Sequence, residues 1–154
     1  MLDRLFPSPS AFSYHGSIGA VWLAALLVFM KVGIALGAIF NGHHAASVAD
    51  GIPIDSYTPA GAQAVVALFG TIGVSQLALG AVGFLVVFRY RALLPGYLLL
   101  LVIEYLGRKG VTLLLPIERV GGAGGGILNW ALLALLLAAL VLSLRGQGKP
   151  ASAA

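Results

Sequence analysis

Cysteine is absent from the chain, and charged residues are scarce. Without a thiol, the chain forms no disulfide scaffold, no Cys-ligated zinc or iron–sulfur site and no c-type haem attachment. Nine basic and five acidic residues make up 9% of the 154 positions, against about 25% in a typical soluble domain. Because a small soluble fold needs a charged surface to stay in water, this scarcity excludes the soluble globular and disordered classes.

The chain consists largely of long apolar runs. Hydrophobic residues make up 60% of the chain, and the mean hydropathy is +1.01. A helix of about 20 apolar residues crosses a hydrocarbon layer of ~30 Å, and four runs approach or exceed that length: 17–40, 63–88, 95–115 and 127–144. We therefore expect an all-α fold, with residues 1–154 forming a single four-helix transmembrane bundle of a polytopic membrane protein.

The segments between the runs carry the residues that end helices. A segment rich in Asn, Asp, Gly and Pro follows Phe40 and predicts a loop of roughly twenty residues. Pro95 suits the first turn of the third helix, and Pro116 should end it. The run Gly121–Gly126 lacks the Lys-Ser/Thr of a phosphate-binding loop and predicts a flexible hinge instead.

Basic residues predict the orientation. In a four-span chain one side of the membrane receives Arg4, Arg89, Arg91, Arg145 and Lys149. Lys and Arg concentrate in cytoplasmic segments, so we expect a bacterial inner-membrane protein with both termini cytoplasmic. Cleavage of a signal peptide after Ala49 is the alternative, which we disfavour because the preceding apolar run is too long for a signal peptide and contains Lys31.

Small residues predict how the helices pack, because helices in a bilayer associate through close contact rather than hydrophobic burial. Four glycines of the second run share one helical face with Gln76, and this face should point into the bundle: Gly70, Gly73, Gly80 and Gly83. Gly33 and Gly37 form a GxxxG pattern, which we expect to pack within the chain, with a second copy as the alternative. The fourth run is apolar on all sides and should face lipid.

Ionisable residues inside apolar runs give the candidate site. Insertion of such a residue costs at least ~2.5–3.5 kcal/mol, so it faces a partner or a water-filled cavity. Lys31, Gln76 and Glu104 lie at similar predicted depth, and Arg108 and Lys109 follow about one turn after Glu104. These five residues are the predicted polar cluster. It either fixes helix register, with Arg108 and Lys109 reaching toward the headgroups, or forms a proton-titrating or ligand-binding site.

Other chemistry has less support in the sequence. His43 and His44, near Asp50 and Asp55, are candidates for a metal site, but adjacent histidines rarely bind one ion together. We assign no catalytic residue, no metal and no cofactor. The net charge of +4 follows from the positive-inside pattern and does not indicate nucleic-acid binding. The expected partners are the lipid bilayer, a second copy of the chain or a larger membrane complex.

The overall plan resembles the DoxX-like group of small bacterial membrane proteins. The resemblance rests on four spans in about 150 residues, Lys31 in the first span and the pair Gly107-Arg108 in the third. It implies a four-helix membrane fold and assigns no functional residue. Small multidrug exporters also have four spans and a membrane-embedded glutamate, but theirs lies in the first helix. Sterol-isomerase-like and sigma-2-like proteins use buried acidic residues, yet none of their motifs is present.

Three functions fit these observations. The first is a non-enzymatic membrane protein, either an accessory subunit or a bundle that binds a small molecule or lipid at the polar cluster. The second is a proton-coupled transporter in which Glu104 titrates. The third is a membrane enzyme acting on a lipid or quinone, with Glu104 as acid or base and Arg108 or Lys31 binding an anionic head group. We expect the first.

Overall fold

The described part of the chain is mostly helical. A computed structural model describes residues 14–120 and 124–145, with side chains described from residue 129 in the second range. Within these residues there is no strand, which confirms the all-α fold. Four long helices account for most of them: α1 (Ile18–Phe40), α2 (Pro59–Phe88), α3 (Leu94–Leu114) and α4 (Gly124–Leu144).

Local chemistry explains where the helices begin and end. The Ser17 hydroxyl caps α1 by accepting from the Gly19 amide, and the Thr58 hydroxyl caps α2 by accepting from the Gly61 amide, at 3.2 Å each. Pro59 follows Thr58 in the first turn, so α2 begins four residues before the predicted start of the second run. Pro95 lies in the first turn of α3, and α3 ends before Pro116, both as predicted.

Two predicted connections are more ordered than the sequence indicated. The segment after Phe40 contains helical turns at Gly42–His44, Ala45–Ala49 and Ile54–Ser56. Its buried Ala46, Ile52 and Ile54 form a small core against the beginning of α2. The connection covers residues 41–58, close to the predicted length, and only its short helical turns were not predicted. Similarly, Gly124–Gly126 form the first turn of α4 rather than a hinge, and the rest of the predicted hinge, residues 121–123, lies outside the described residues.

The four helices alternate in direction. The Ser17 amide donates to the Leu142 carbonyl over 3.4 Å, so α1 begins where α4 ends. The turn between α2 and α3 lies at the same end, which we call the arginine end because it carries Arg89, Arg91 and Arg145. At the opposite end, the loop end, the Val120 amide donates to the Gly51 carbonyl over 2.8 Å. Gly51 has a φ of +70°, a conformation that favours glycine.

The main core lies toward the arginine end. Buried aliphatic residues from all four helices meet there, among them Val28, Val86, Leu98 and Ala139. α1 packs along α2 and on α4, and α3 packs mainly on α4. One face of α4 is therefore buried, with Leu133, Leu136 and Ala139 inside, while Trp130, Leu137 and Leu144 are exposed on its other sides.

Three of the four predicted glycines bring α2 close to α1 or α3. A Cβ on Gly73 would lie 2.9 Å from the Ala35 carbonyl oxygen, and Gly80 and Gly83 are similarly crowded by side chains. Gly70, in contrast, has open space where its Cβ would be, so its predicted place in the packed face was wrong.

The GxxxG pattern of α1 packs against none of the residues that the structure describes. A Cβ added to Gly33 or to Gly37 would have no neighbour within 4 Å. The prediction of intrachain packing for these two glycines was wrong, because α2 lies on the face of α1 that carries Val28, Val32 and Ala35.

Two of the helices are long and apolar enough to cross a bilayer, α1 and α2. α4 is apolar over Asn129–Leu144, a shorter stretch, and α3 contains Glu104, Arg108 and Lys109. The all-helical fold is thus as predicted. Two of the four predicted spans are long and apolar enough to cross a bilayer on length and composition alone.

Gly73→Ala should destabilise the protein by about 1–3 kcal/mol, because the new methyl group would press on the backbone of α1. The matched control is Gly70→Ala, three residues away on the same helix. It should leave stability unchanged or raise it by up to about 1 kcal/mol, since alanine favours helix over glycine. Unfolding by SDS in mixed micelles, followed by circular dichroism, measures both. Equal effects would contradict the assigned α1–α2 contact.

Candidate functional site

Glu104 lies at the centre of the polar cluster. Its Oε2 accepts a hydrogen bond from Lys31 Nζ at 3.1 Å, and its Oε1 accepts from Gln76 Nε2 at 2.6 Å. Arg108 Nε lies 2.6 Å from the same Oε1, one turn along α3. A single carboxylate thereby connects side chains of α1, α2 and α3.

The local sequence explains why these side chains meet. Gln76 lies between Gly73 and Gly80 on α2, at the face that approaches α1, and it is buried. Lys31 is next to Val32, which contacts Gly80, so the close α1–α2 packing brings the lysine and the glutamine to the same level. The Lys31 and Glu104 side chains are only 13% and 18% exposed, so the ion pair is largely buried within the protein.

Arg108 and Lys109 differ in their surroundings. The Arg108 side chain is 52% exposed and ion-paired with Glu104. Lys109, in contrast, points to the neighbouring helix, with its Nζ 5.8 Å above the Trp130 ring, a cation–π contact. The structure therefore brings Lys31, Gln76, Glu104 and Arg108 together and places Lys109 outside this group.

A cavity of about 120 Å³ adjoins the cluster. We call it the Glu104 cavity; its polar lining includes all four clustered residues, and its apolar lining includes Leu27, Ile34, Leu101, Leu132 and Leu136. Ile34 is 53% exposed, so with Arg108 it marks the open side of the cavity. The site therefore offers charged groups and aliphatic walls side by side.

Sequence reasoning missed Tyr105 and Asn129, which also line the cavity. The Tyr105 hydroxyl donates to the Asn129 carbonyl over 2.6 Å and joins α3 to the beginning of α4. Tyr105 is buried one residue after Glu104, and Leu98, Leu101 and Tyr105 recur at helical spacing. This periodicity predicts that Tyr105 lies on the buried face of α3, whereas nothing in the sequence indicated that Asn129 would face the same cavity.

The histidine candidates do not form a metal site among the described residues. His43 Nε2 lies 3.4 Å from Asp55 Oδ1 at the loop end, and both side chains are well exposed. No group of three metal-binding side chains occurs in residues 14–120 and 124–145. His43 thus has one surface contact with a carboxylate, and neither histidine belongs to a ligand set among the described residues.

Comparison with known proteins adds no relative. No family model, no curated protein and no solved structure matches the chain. The site must therefore be interpreted from its own geometry.

Glu104→Gln should destabilise the protein by about 3–5 kcal/mol, because it removes the carboxylate that pairs with both Lys31 and Arg108. Lys31→Met should cost less, since Glu104 keeps Gln76 and Arg108. In the double variant the combined cost should fall short of the sum of the singles by at least about 1 kcal/mol. SDS-induced unfolding provides the measurement.

Lys109→Gln is the control for this cycle. It removes a cation from the adjacent position of α3 but loses only the contact with Trp130, so it should cost about 1 kcal/mol or less. Additive effects of the Glu104 and Lys31 variants would show that the two residues are not coupled.

Proposed function

We propose that this chain is a four-span protein of the bacterial inner membrane whose Glu104 cavity binds a small molecule or the head group of a lipid. In this proposal the polar cluster binds and does not catalyse. The resemblance to DoxX-like proteins agrees with the four-span part and is itself part of the proposal.

Exposure of the apolar helices supports insertion of the chain in a bilayer. In the most apolar stretches of α1 and α2, only 22% and 33% of residues are buried, whereas a core helix of a soluble protein is mostly buried. Large apolar side chains point outward along α1, with Trp22, Phe29 and Phe40 more than half exposed. A surface of this kind is stable against lipid tails and unstable in water.

The length and position of α3 support a third span despite its charges. Its 21 residues extend about 32 Å, enough to cross a ~30 Å layer. The hydrogen bond between Val120 and Gly51 holds the segment after α3 at the loop end, so α3 runs from one end of the bundle to the other. Because Glu104 binds both Lys31 and Gln76, its charge is compensated inside the bundle.

Charge at the two ends supports the proposed orientation. The arginine end carries Arg89, Arg91 and Arg145, whereas the described loop-end segments carry Asp50, Asp55 and Glu118 with a single arginine, Arg119. The positive-inside rule places the arginine end in the cytoplasm. The fourth span completes this arrangement, since α4 returns the chain to the arginine end.

The composition of the Glu104 cavity is the observation that supports binding. A structural ion pair needs no adjoining space, yet here the pair borders about 120 Å³ lined by five aliphatic residues. Convergent polar groups in an apolar pocket are typical of small-molecule sites. A ligand can enter this space from its open side, where Arg108 is half-exposed.

Cysteine labelling tests the four-span topology, and the cysteine-free chain is a suitable background. Single variants Ser56→Cys, Leu93→Cys and Glu118→Cys place one thiol in each connection between helices. In intact cells a membrane-impermeant maleimide should label positions 56 and 118, and it should label position 93 only after permeabilisation. If position 118 behaves like position 93, α3 does not cross the membrane.

Filling the Glu104 cavity tests binding. Protein purified in a mild detergent and exposed to a total bacterial lipid extract should retain one bound molecule, detected by native mass spectrometry. Leu132→Trp, on the α4 side of the cavity, should lower this retention at least about tenfold, and Met30→Trp on the α1 side should do the same.

Leu135→Trp provides the matched control. It adds the same bulk to an exposed position of α4 that does not line the cavity, so retention should be unchanged. SDS-induced unfolding of all three variants separates lost binding from lost folding. Equal retention by the folded cavity variants and the control would overturn the proposed function.

A further inference from the structure

The charges of the four helices do not balance. Glu104 is their only acidic residue, whereas α1 contributes Lys31 and α3 contributes Arg108 and Lys109. Lys109 lies against Trp130, away from the cavity. At the cavity, therefore, one carboxylate faces two cations, and the group carries a net charge of +1 when all three are ionised.

Of the two cations at the cavity, Arg108 is the one with hydrogen-bond donors left for a second anion. Lys31 and Glu104 form a close pair that is largely buried, while Arg108 is half-exposed and bonds the shared carboxylate through Nε. A guanidinium has five N–H donors in a planar fork that matches carboxylate and phosphate oxygens. The guanidinium carbon lies 5.9 Å from the centroid of the Tyr105 ring, and the side chain both lines the cavity and is half-exposed, so its N–H donors beyond Nε are the groups that an entering anion would meet.

The size of the cavity limits what can enter. Ligand pockets for whole drug-sized molecules measure about 300–1,000 Å³, and the Glu104 cavity measures about 120 Å³. A head group of a few atoms fits, and the remainder of a larger ligand has to lie outside. Ile34 lies at this opening, and Val111 and Leu115, which continue the side of α3 that carries Glu104, are also exposed apolar residues.

We infer that the ligand is an amphiphile with an oxyanion head group, a carboxylate or a phosphate, which Arg108 binds while the apolar chain lies along the exterior of the helices. The inference rests on the proposed function and narrows it to one class of ligand. A neutral head group would leave the extra cation uncompensated, and a free anion would leave the aliphatic walls of the cavity without a contact.

Binding of three radiolabelled probes to the purified protein in maltoside micelles tests this inference, with empty micelles subtracted. The probes are dodecyl phosphate, 1-dodecanol with the same chain and an uncharged head, and inorganic phosphate with no chain. Dodecyl phosphate should bind at least about tenfold more tightly than either of the others. Equal binding of inorganic phosphate would indicate a free-anion site, and equal binding of 1-dodecanol would indicate a neutral-head site; either would overturn the inference.

Variants at two neighbouring positions assign the binding to Arg108. Arg108→Gln should weaken binding of dodecyl phosphate about tenfold or more, because hydrogen bonds to charged groups contribute strongly. Arg108→Lys keeps the charge and should recover part of that loss. Lys109→Gln removes a cation from the next residue and should change binding less than twofold. Equal losses in Arg108→Gln and Lys109→Gln would show a general charge effect and contradict the assignment.

Failure of this inference can be distinguished from failure of the proposed function. If the cavity-filling variants reduce lipid retention but dodecyl phosphate does not bind, the site binds a ligand of another class and only this inference fails. If Leu132→Trp and Met30→Trp leave retention unchanged, the cavity is not a binding site and both fail.

Discussion

The carboxylate of Glu104 joins three of the four long helices. It accepts from Lys31 on α1 and Gln76 on α2, and it is held on its own helix by Arg108. Lipid surrounds apolar helices as favourably as other helices do, so a bilayer offers little hydrophobic force to hold them together. Contacts of this kind, which are costly to break in an apolar environment, therefore decide which helices associate and at what register.

The glycine face of α2 and the Glu104 contact depend on one another. Without a side chain at Gly73 and Gly80, α2 approaches the backbone of α1 closely enough to bring Gln76 and Lys31 to the same carboxylate. α3 packs mainly on α4 instead of on α2. The space left beside Glu104 is therefore a product of unequal helix spacing, and it is the feature on which the proposed binding rests.

Particular residues show how far the sequence predicts this molecule. Charges in apolar runs identified Lys31 and Glu104, because the cost of burying an unpaired charge is independent of fold. The same reasoning included Lys109 in error, since the residue after Arg108 on a helix points about 100° away, here to Trp130. Helical periodicity shows which residues share a face but not which helix covers it, and for this reason the packing of Gly33 and Gly70 was predicted incorrectly.

The separation of the ion pair along the chain affects the order of synthesis. Glu104 follows Lys31 by 73 residues. At roughly 5–20 residues per second, the ribosome adds Glu104 about 4–15 s after Lys31. In the proposed topology, a newly made α1 carries an unpaired lysine during this interval, which favours a position at the edge of the translocation machinery over release into lipid. In this topology, synthesis of α3 then supplies Glu104, and α1 enters the bilayer together with α3.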